Sequence, residues 1–472
     1  MSWGNDEPNP NTLKCRDDHQ PIAFAQLPGD QAGTKPTFRL ADGTSSPWIG
    51  SGEEFGPEKL RSRIEPWLTA LSQSEHFSLL VGSGLSNAVH HLATGNLLPG
   101  MGRAEFGSFD GVIGTEAKRS AALAGRSEGN FEDQIRVACE LLRGQQILAS
   151  TDANAKAKAE ELQTKLNDVL SQFAESVRKG EHGLKTAPAD KRENAFNYLV
   201  SFLMSFASRA GTRDRLNIFT TNYDRFIEAG ADAAGLHLLD RFVGSVAPIF
   251  RSTRLDLDMH YNPPGIRGEP RYVEGVARFT KLHGSLDWGD CEHSICRLPI
   301  PFGAESLKPF VDALGAGDAN AMRLMIYPNA SKDRETSCYP YVELFRDFAA
   351  AACRPNHTLF SFGYSFGDEH INRVIEDMLT IPSTHLVVAS HSDPLARIMK
   401  TYEQLGRHAQ ITLLIGDHVG SFQSLVDYYL PKPAIDRTTF RMAELLKARW
   451  GANHGDKADP RDSSTSSGGD DK

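Results

Sequence analysis

Apolar residues along this chain follow two alternating rhythms. Short runs rich in β-branched and aromatic side chains occur as FSLLVGSG, LNIFTTN, RFTKLHG, RLMIYPN, TLFSFGYS, HLVVAS and ITLLIGD, and each predicts a buried strand. Between most of them apolar positions recur three and four apart. PEKLRSRIEPWLTALSQ before the first run, ELFRDFAAAA before the fifth and INRVIEDMLT after it are examples, and this is the spacing of one helix face. Strand and helix in alternation predict an α/β fold built on a doubly wound parallel sheet.

One interval breaks the rhythm. Residues 85–215 contain no convincing strand, but FEDQIRVACELLRGQQILA, AKAKAEELQTKLNDVLSQFAESVRK and RENAFNYLVSFLMSFASRA read as long helices. That is too much chain for one crossover, so a helical insertion after the first strand, at about residues 86–212, is expected to form a lid or subdomain beside a ligand cleft. Residues 1–50 are rich in Pro, Gly, Asp and Asn with little periodicity and predict an irregular amino-terminal arm. The main domain is expected over 51–435 and a carboxyl-terminal helix over 436–454. The tail at 455–472 is too polar to bury anything and reads as disordered.

Composition narrows the function classes. With 472 residues and 40% hydrophobic content the chain can build a sizeable core. A net charge of -9 argues against a protein whose main partner is a nucleic-acid backbone. No stretch approaches the roughly 18 apolar residues of a membrane span, and the first residues lack the basic start and apolar middle of a signal peptide, so a cytoplasmic location without membrane contact is expected. Six cysteines are scattered through the chain, and only Cys291 and Cys296 lie close together, in CEHSIC around His293. With no second pair to complete a four-thiolate site, a loop with incidental thiols is expected and no metal.

Four of the apolar runs end in short polar motifs. They are Gly82-Ser83-Gly84-Leu85-Ser86, Thr220-Thr221-Asn222-Tyr223-Asp224, His283-Gly284-Ser285 and Gly363-Tyr364-Ser365-Phe366-Gly367. Carboxyl ends of parallel strands are where open α/β sheets bind ligands, so four such ends imply one shared pocket. Gly82 and Gly84 open a short helical pattern, which suits a phosphate at a helix amino terminus or a plain tight turn. Asn222 offers both donor and acceptor, or caps the next helix, and Asp224 has the same two roles open to it. His283 can act as a general base or serve structure alone. Around Gly363 and Ser365 a second glycine-rich turn leads into Asp368 at a helix start.

Taken in order, these motifs resemble the sirtuin family over about residues 77–422. The resemblance implies a Rossmann-like domain that takes NAD and cleaves the bond between nicotinamide and ribose. Gly82, Ser83, Gly84 and Ser86 would then surround the pyrophosphate and nicotinamide ribose, and Asn222 and Asp224 would hold that ribose and the reacting centre. His283 would be the base, Gly363 and Ser365 would contact the adenosine side, and Ser390, Asp393, Gly416 and Asp417 would hold the adenine and its ribose.

Departures from that family are equally informative. Protein-deacylating sirtuins begin with glycine-alanine-glycine where this chain has Gly82-Ser83-Gly84, and place a glutamine where it has Thr221. They also carry a zinc ribbon of two cysteine pairs, which cannot be built here, and a Pro-Asp-Phe-Arg segment that NLLPGMGRAEFG does not match. The Thr-Asn-Tyr-Asp variant, the helical insertion and the missing ribbon look instead like bacterial sirtuin-like NAD hydrolases of antiphage defence. That likeness implies an NAD glycohydrolase, with NAD as substrate, held inactive until released by homo-oligomerisation or by a companion such as an ATPase of the HerA type or an Argonaute-like protein. An NAD-dependent protein deacylase and a non-catalytic nucleotide-sensing subunit are the alternatives.

Overall fold

The computed structural model describes residues 10–27, 35–100, 102–123, 126, 128–207, 214–253, 257–261, 271–291, 294–312 and 340–432. Residues 1–431 form one compact unit, and of the second, 432–472, only Lys432 is described. The carboxyl-terminal helix and tail expected from the sequence, and the run RLMIYPN, lie outside the described residues.

An eleven-stranded sheet organises the molecule. Its strands are β1 (Asn11–Lys14), β2 (Ile22–Gln26), β3 (Phe38–Leu40), β4 (Glu54–Phe55), β5 (His76–Val81), β6 (Leu216–Thr220), β7 (His237–Leu239), β8 (Val276–Lys281), β9 (His357–Phe362), β10 (His385–Ser390) and β11 (Ile411–Ile415). Spatial order is β4-β3-β2-β1-β11-β10-β9-β5-β6-β8-β7. From β11 to β7 every pairing is parallel. The chain runs outward from β5 through β6, returns to β9 on the other side of β5, and continues to β10 and β11. The switch point of this α/β sheet therefore lies between β5 and β9, where open sheets leave a crevice for ligand.

Side chains of the central strands alternate between two cores, as the period-two geometry of a strand requires. Leu79, Val81, Phe360, Phe362, Val387 and Ala389 face α1 (Pro57–Ser72), α2 (Ser83–Thr94), α6 (Ala189–Ala207) and α7 (Phe226–Ala234). Leu80, Leu359, Leu386 and Val388 face α8 (Tyr341–Ala352), α9 (Glu369–Leu379) and α10 (Arg397–Leu405). Both faces being covered explains why these strands read as unbroken apolar runs.

The amino-terminal arm is not irregular. Strands β1 to β4 extend the sheet antiparallel from β11, and Leu13, Phe24, Phe38 and Phe55 are buried there. Phe24 meets Phe38 and Phe55 edge-on, with ring centroids 5.4 and 5.5 Å apart. Each strand is only two to five residues long, with one to three of them buried, too short to show a period. Gly416 and Asp417, expected on the adenine side, instead receive this arm. Asn11 donates to Asp417 Oδ1 at 3.0 Å and accepts from the His418 and Val419 N–H groups. A Cβ on Gly416 would lie 2.6 Å from Asn11 Oδ1.

Helices α3 (Asp110–Leu123), α4 (Phe131–Leu148) and α5 (Ala153–Thr186) fill the interval after α2. A small core of its own, including Phe106, Ile113, Ile135, Leu162 and Leu166, holds the first part together. The last turns of α5, at Leu184, and all of α6 pack on the sheet instead, so the inserted body is shorter than 86–212. CEHSIC is no plain loop: Trp288–Cys291 and Ser294–Arg297 pair antiparallel within a four-stranded sheet, with Cys296 buried. Cys291's side chain and His293 lie outside the described residues. Among the described residues no helix is long and apolar enough to cross a membrane, and no cluster of three or more His, Cys, Asp or Glu could hold a metal ion.

Candidate functional site

At the switch point the ends of β5 and β9 approach so closely that side chains are excluded. A Cβ on Gly84 would lie 2.5 Å from the Gly363 Cα, one on Gly363 would lie 2.6 Å from the Gly84 Cα, and one on Gly82 would lie 2.6 Å from the Tyr364 Cα. Gly363 also has φ +62°, a left-handed conformation open to glycine at little cost. The Gly84 N–H donates to the Gly363 carbonyl at 3.0 Å, and Gly82 N–H to Phe362 O at 3.0 Å. These glycines thus lock two strand ends together, and the Gly84 amide is spent on that lock.

Beside the lock lies a cavity of about 330 Å³. Gly82, Ser83, Ser86, Asn222, Asp224, His283 and Ser365 all line it, whereas Gly84, Gly363, Ser390, Asp393, Gly416 and Asp417 do not. The strand ends β5, β6, β8 and β9 are therefore brought together, and the ends of β10 and β11 are not. Ser390 bonds the Ser392 carbonyl, and Asp393 caps the start of α10 by accepting from Ile398 and Met399 N–H.

Asn222 is buried and its orientation follows from its partners. Its amide nitrogen donates to the Gly82 carbonyl and to Ser86 Oγ, both at 2.9 Å, and a carbonyl can only accept. Asn222 Oδ1 is then the group left for a ligand, with no hydrogen bond among the described residues. Two residues on, Asp224 accepts from the Phe226 N–H at 3.2 Å, starting α7. The Asp224 carbonyl takes a hydrogen bond from the buried Lys281 at 2.5 Å, and Lys281 also pairs with Glu228 at 3.0 Å. Burial pushes the Glu228 carboxyl upward, against the pull of Lys281. This pair anchors the β6 loop to the strand that delivers His283.

His283 is clamped rather than free. Its Nε2 lies 2.8 Å from Asp368 Oδ2 in a buried contact, and a carboxylate accepts, so Nε2 carries the proton and Nδ1 is the nitrogen that can take one. Asp368 is held in turn. Its Oδ1 caps α9 by accepting from His370 N–H at 3.0 Å, and its N–H donates to the Tyr364 hydroxyl at 3.3 Å. Burial, then the neighbouring Asp368, hold the Tyr364 phenol well above its usual range, so it stays protonated. On the other side of the imidazole, Glu132 Oε1 from the start of α4 is 3.9 Å from Nδ1.

The remaining wall comes from the insertion and from α10. Phe173 of α5 packs edge-on against Tyr223, centroids 5.3 Å apart, and Tyr223 lies 6.2 Å from the His283 ring. Ser176, Val177 and Gly180 continue this face. Arg397 closes the end beside Ser365 and Gly367 and makes no ion pair among the described residues. Between those two residues Phe366 adopts φ +53°, a strained conformation of the kind that collects at ligand sites. A cation, an unpaired amide oxygen, a clamped imidazole and an aromatic wall fit a phosphorylated ligand with a ring and a ribose. Sequence inspection did not single out Asp368 as a partner of His283, nor Glu132, Phe173 or Arg397. Asp368 carried only a capping signal, and the other three reach the cavity through tertiary packing alone.

No curated protein matches the chain. A family model described as a SIR2-like domain matches residues 216–410. That span includes Asn222, His283, Asp368 and Arg397 and leaves out the glycine turn of β5, which the sheet itself restores to the same cavity. Residues 216–410 are thus similar to a SIR2-like domain and lie on a Rossmann-like α/β sheet, a likeness compatible with binding or use of NAD.

Proposed function

We propose that the cavity hydrolyses NAD at the bond between nicotinamide and ribose, releasing nicotinamide and ADP-ribose. The observation that carries this is that Asn222, its amide nitrogen committed to Gly82 and Ser86, and the Asp368-clamped His283 line one cavity. Departure of nicotinamide leaves an oxocarbenium-like cation, which needs acceptor atoms near it and a group to take a proton. Asn222, with both donors committed, presents only its oxygen, and His283 presents a basic nitrogen. Arg397 supplies positive charge for the pyrophosphate. Walls from α4 and α5 stand on the side away from the sheet, which favours water over a peptide as the acceptor.

The chain is further proposed to act as an NAD-depleting effector of antiphage defence, released by self-assembly or by a companion protein such as a HerA-type ATPase or an Argonaute-like protein. Val112, Ile147 and Leu148 of the inserted body are exposed and offer an apolar contact for such assembly. Incubation with NAD, with and without an acylated peptide, separates the activities. Free ADP-ribose without peptide is the expected product. O-acyl-ADP-ribose formed only with peptide would make the chain a deacylase, and binding without turnover would make it a sensor.

A further inference from the structure

The geometry points to Glu132, on the inserted subdomain, as a further catalytic group that holds and deprotonates the attacking water together with His283. This rests on the cavity being the NAD-cleaving site. Glu132 lies in the first turn of α4, lines the cavity, and its side chain is only 14% exposed. Its neighbour Asp133 is fully used, accepting from Arg126 at 2.7 and 2.8 Å and from Asn130 N–H at 2.8 Å. Glu132 has no hydrogen bond among the described residues, although the helix amino terminus favours its negative charge.

Its distance to the imidazole is informative. At 3.9 Å, Glu132 Oε1 and His283 Nδ1 are too far apart for a direct hydrogen bond, but one oxygen atom at roughly 2.8 Å from each can touch both. With Nε2–H donated to Asp368, Nδ1 is an acceptor, and so is the carboxylate. A water seated there donates one hydrogen to each and turns a lone pair toward the ribose. In the step itself the water oxygen bonds to the anomeric carbon as the carbon–nitrogen bond breaks. The bonding pair leaves with nicotinamide and neutralises its ring, and one water proton passes to Glu132 or His283 and on to solvent.

The test compares wild type, His283→Ala, Glu132→Gln and Glu132→Ala in the full chain, following nicotinamide release from NAD and ADP-ribose binding by calorimetry. Glu132→Gln is expected to lower kcat on the order of 100-fold while KM and ADP-ribose affinity stay within about threefold, since the amide keeps shape and loses only basicity. Formate, a small carboxylate able to enter the vacated space, is expected to restore Glu132→Ala about tenfold or more. A kcat for Glu132→Gln within about threefold of wild type overturns the role, as does a loss shared by ADP-ribose binding with no formate rescue. If wild type releases no more nicotinamide than His283→Ala, the assignment of the cavity itself falls. If wild type turns over and Glu132→Gln matches it, only the role of Glu132 falls.

Discussion

On the sheet side of the cavity, Gly82, Gly84 and Gly363 bring two strand ends into backbone contact with no space for a side chain. On the inserted side, the wall is fastened through a buried ion pair and ring contacts. Arg225, directly after the β6 motif, pairs with Glu181 of α5 at 2.6 Å, and both are almost wholly buried. Phe173 rests on Tyr223. The sheet side is fixed by covalent geometry and steric exclusion, which suits the placement of Asn222. The inserted side is fixed by interactions that can be broken singly, and it is the side from which Glu132 lines the cavity.

This contrast is most severely tested at its single strongest fastening. Arg225→Met leaves Glu181 as an unpaired buried charge and is expected to cost about 3–5 kcal/mol, whereas replacing both partners by apolar residues recovers most of the loss. Denaturant unfolding of the single and double variants reads both; a single variant within about 1 kcal/mol of wild type would mean the pair is not the fastening. Next in size, Gly363→Ala forces a Cβ onto Gly84 in a left-handed conformation and is expected to cost roughly 2–4 kcal/mol. Gly100, on the other wall, has nothing within 4 Å of where a Cβ would sit, so Gly100→Ala should leave the melting temperature nearly unchanged. Equal shifts in the two would erase the distinction.

Acid probes the far flank of the sheet, where the amino-terminal strands dock. Burial pulls the His418 pKa down to about 4 from 6.5, so the unfolded chain binds a proton that the folded chain refuses between those values. Stability is therefore intact above pH 6.5 and falls as pH drops toward 4, by roughly 2–3 kcal/mol for this residue. Unfolding midpoints across that range should flatten in His418→Gln; an unchanged slope would assign the acid sensitivity elsewhere. Phe173→Ala removes the edge-on contact with Tyr223 and a tilted one with Phe131, centroids 5.1 Å apart, each worth roughly 1 kcal/mol, and should raise KM for NAD with a modest drop in melting temperature. A drop in kcat with KM unchanged would contradict its place in the wall.

Much of the architecture was legible because buried parallel strands announce themselves as continuous apolar runs, and their polar ends mark one edge of the sheet. Ser83, Asn222, His283 and Ser365 were found on that logic, and all line the cavity. The same logic overreached at Gly416 and Asp417, which end a strand of the same type but hold Asn11. Strands β1 to β4 were missed because runs of two to five residues leave no period to detect. Asp368 looked like a helix cap and is one, yet its second oxygen clamps His283. No local pattern could reveal that a carboxylate some 150 residues earlier, Glu132, faces the same imidazole.

The central claim is that Asn222 and His283 act together on NAD at this cavity. Nicotinamide release from NAD by the full chain, compared with Asn222→Ala and His283→Ala whose folding is checked by their melting curves, tests it most directly. Both variants should lose release by at least about 100-fold while melting like the wild type. Retention of wild-type release by both folded variants would contradict the account.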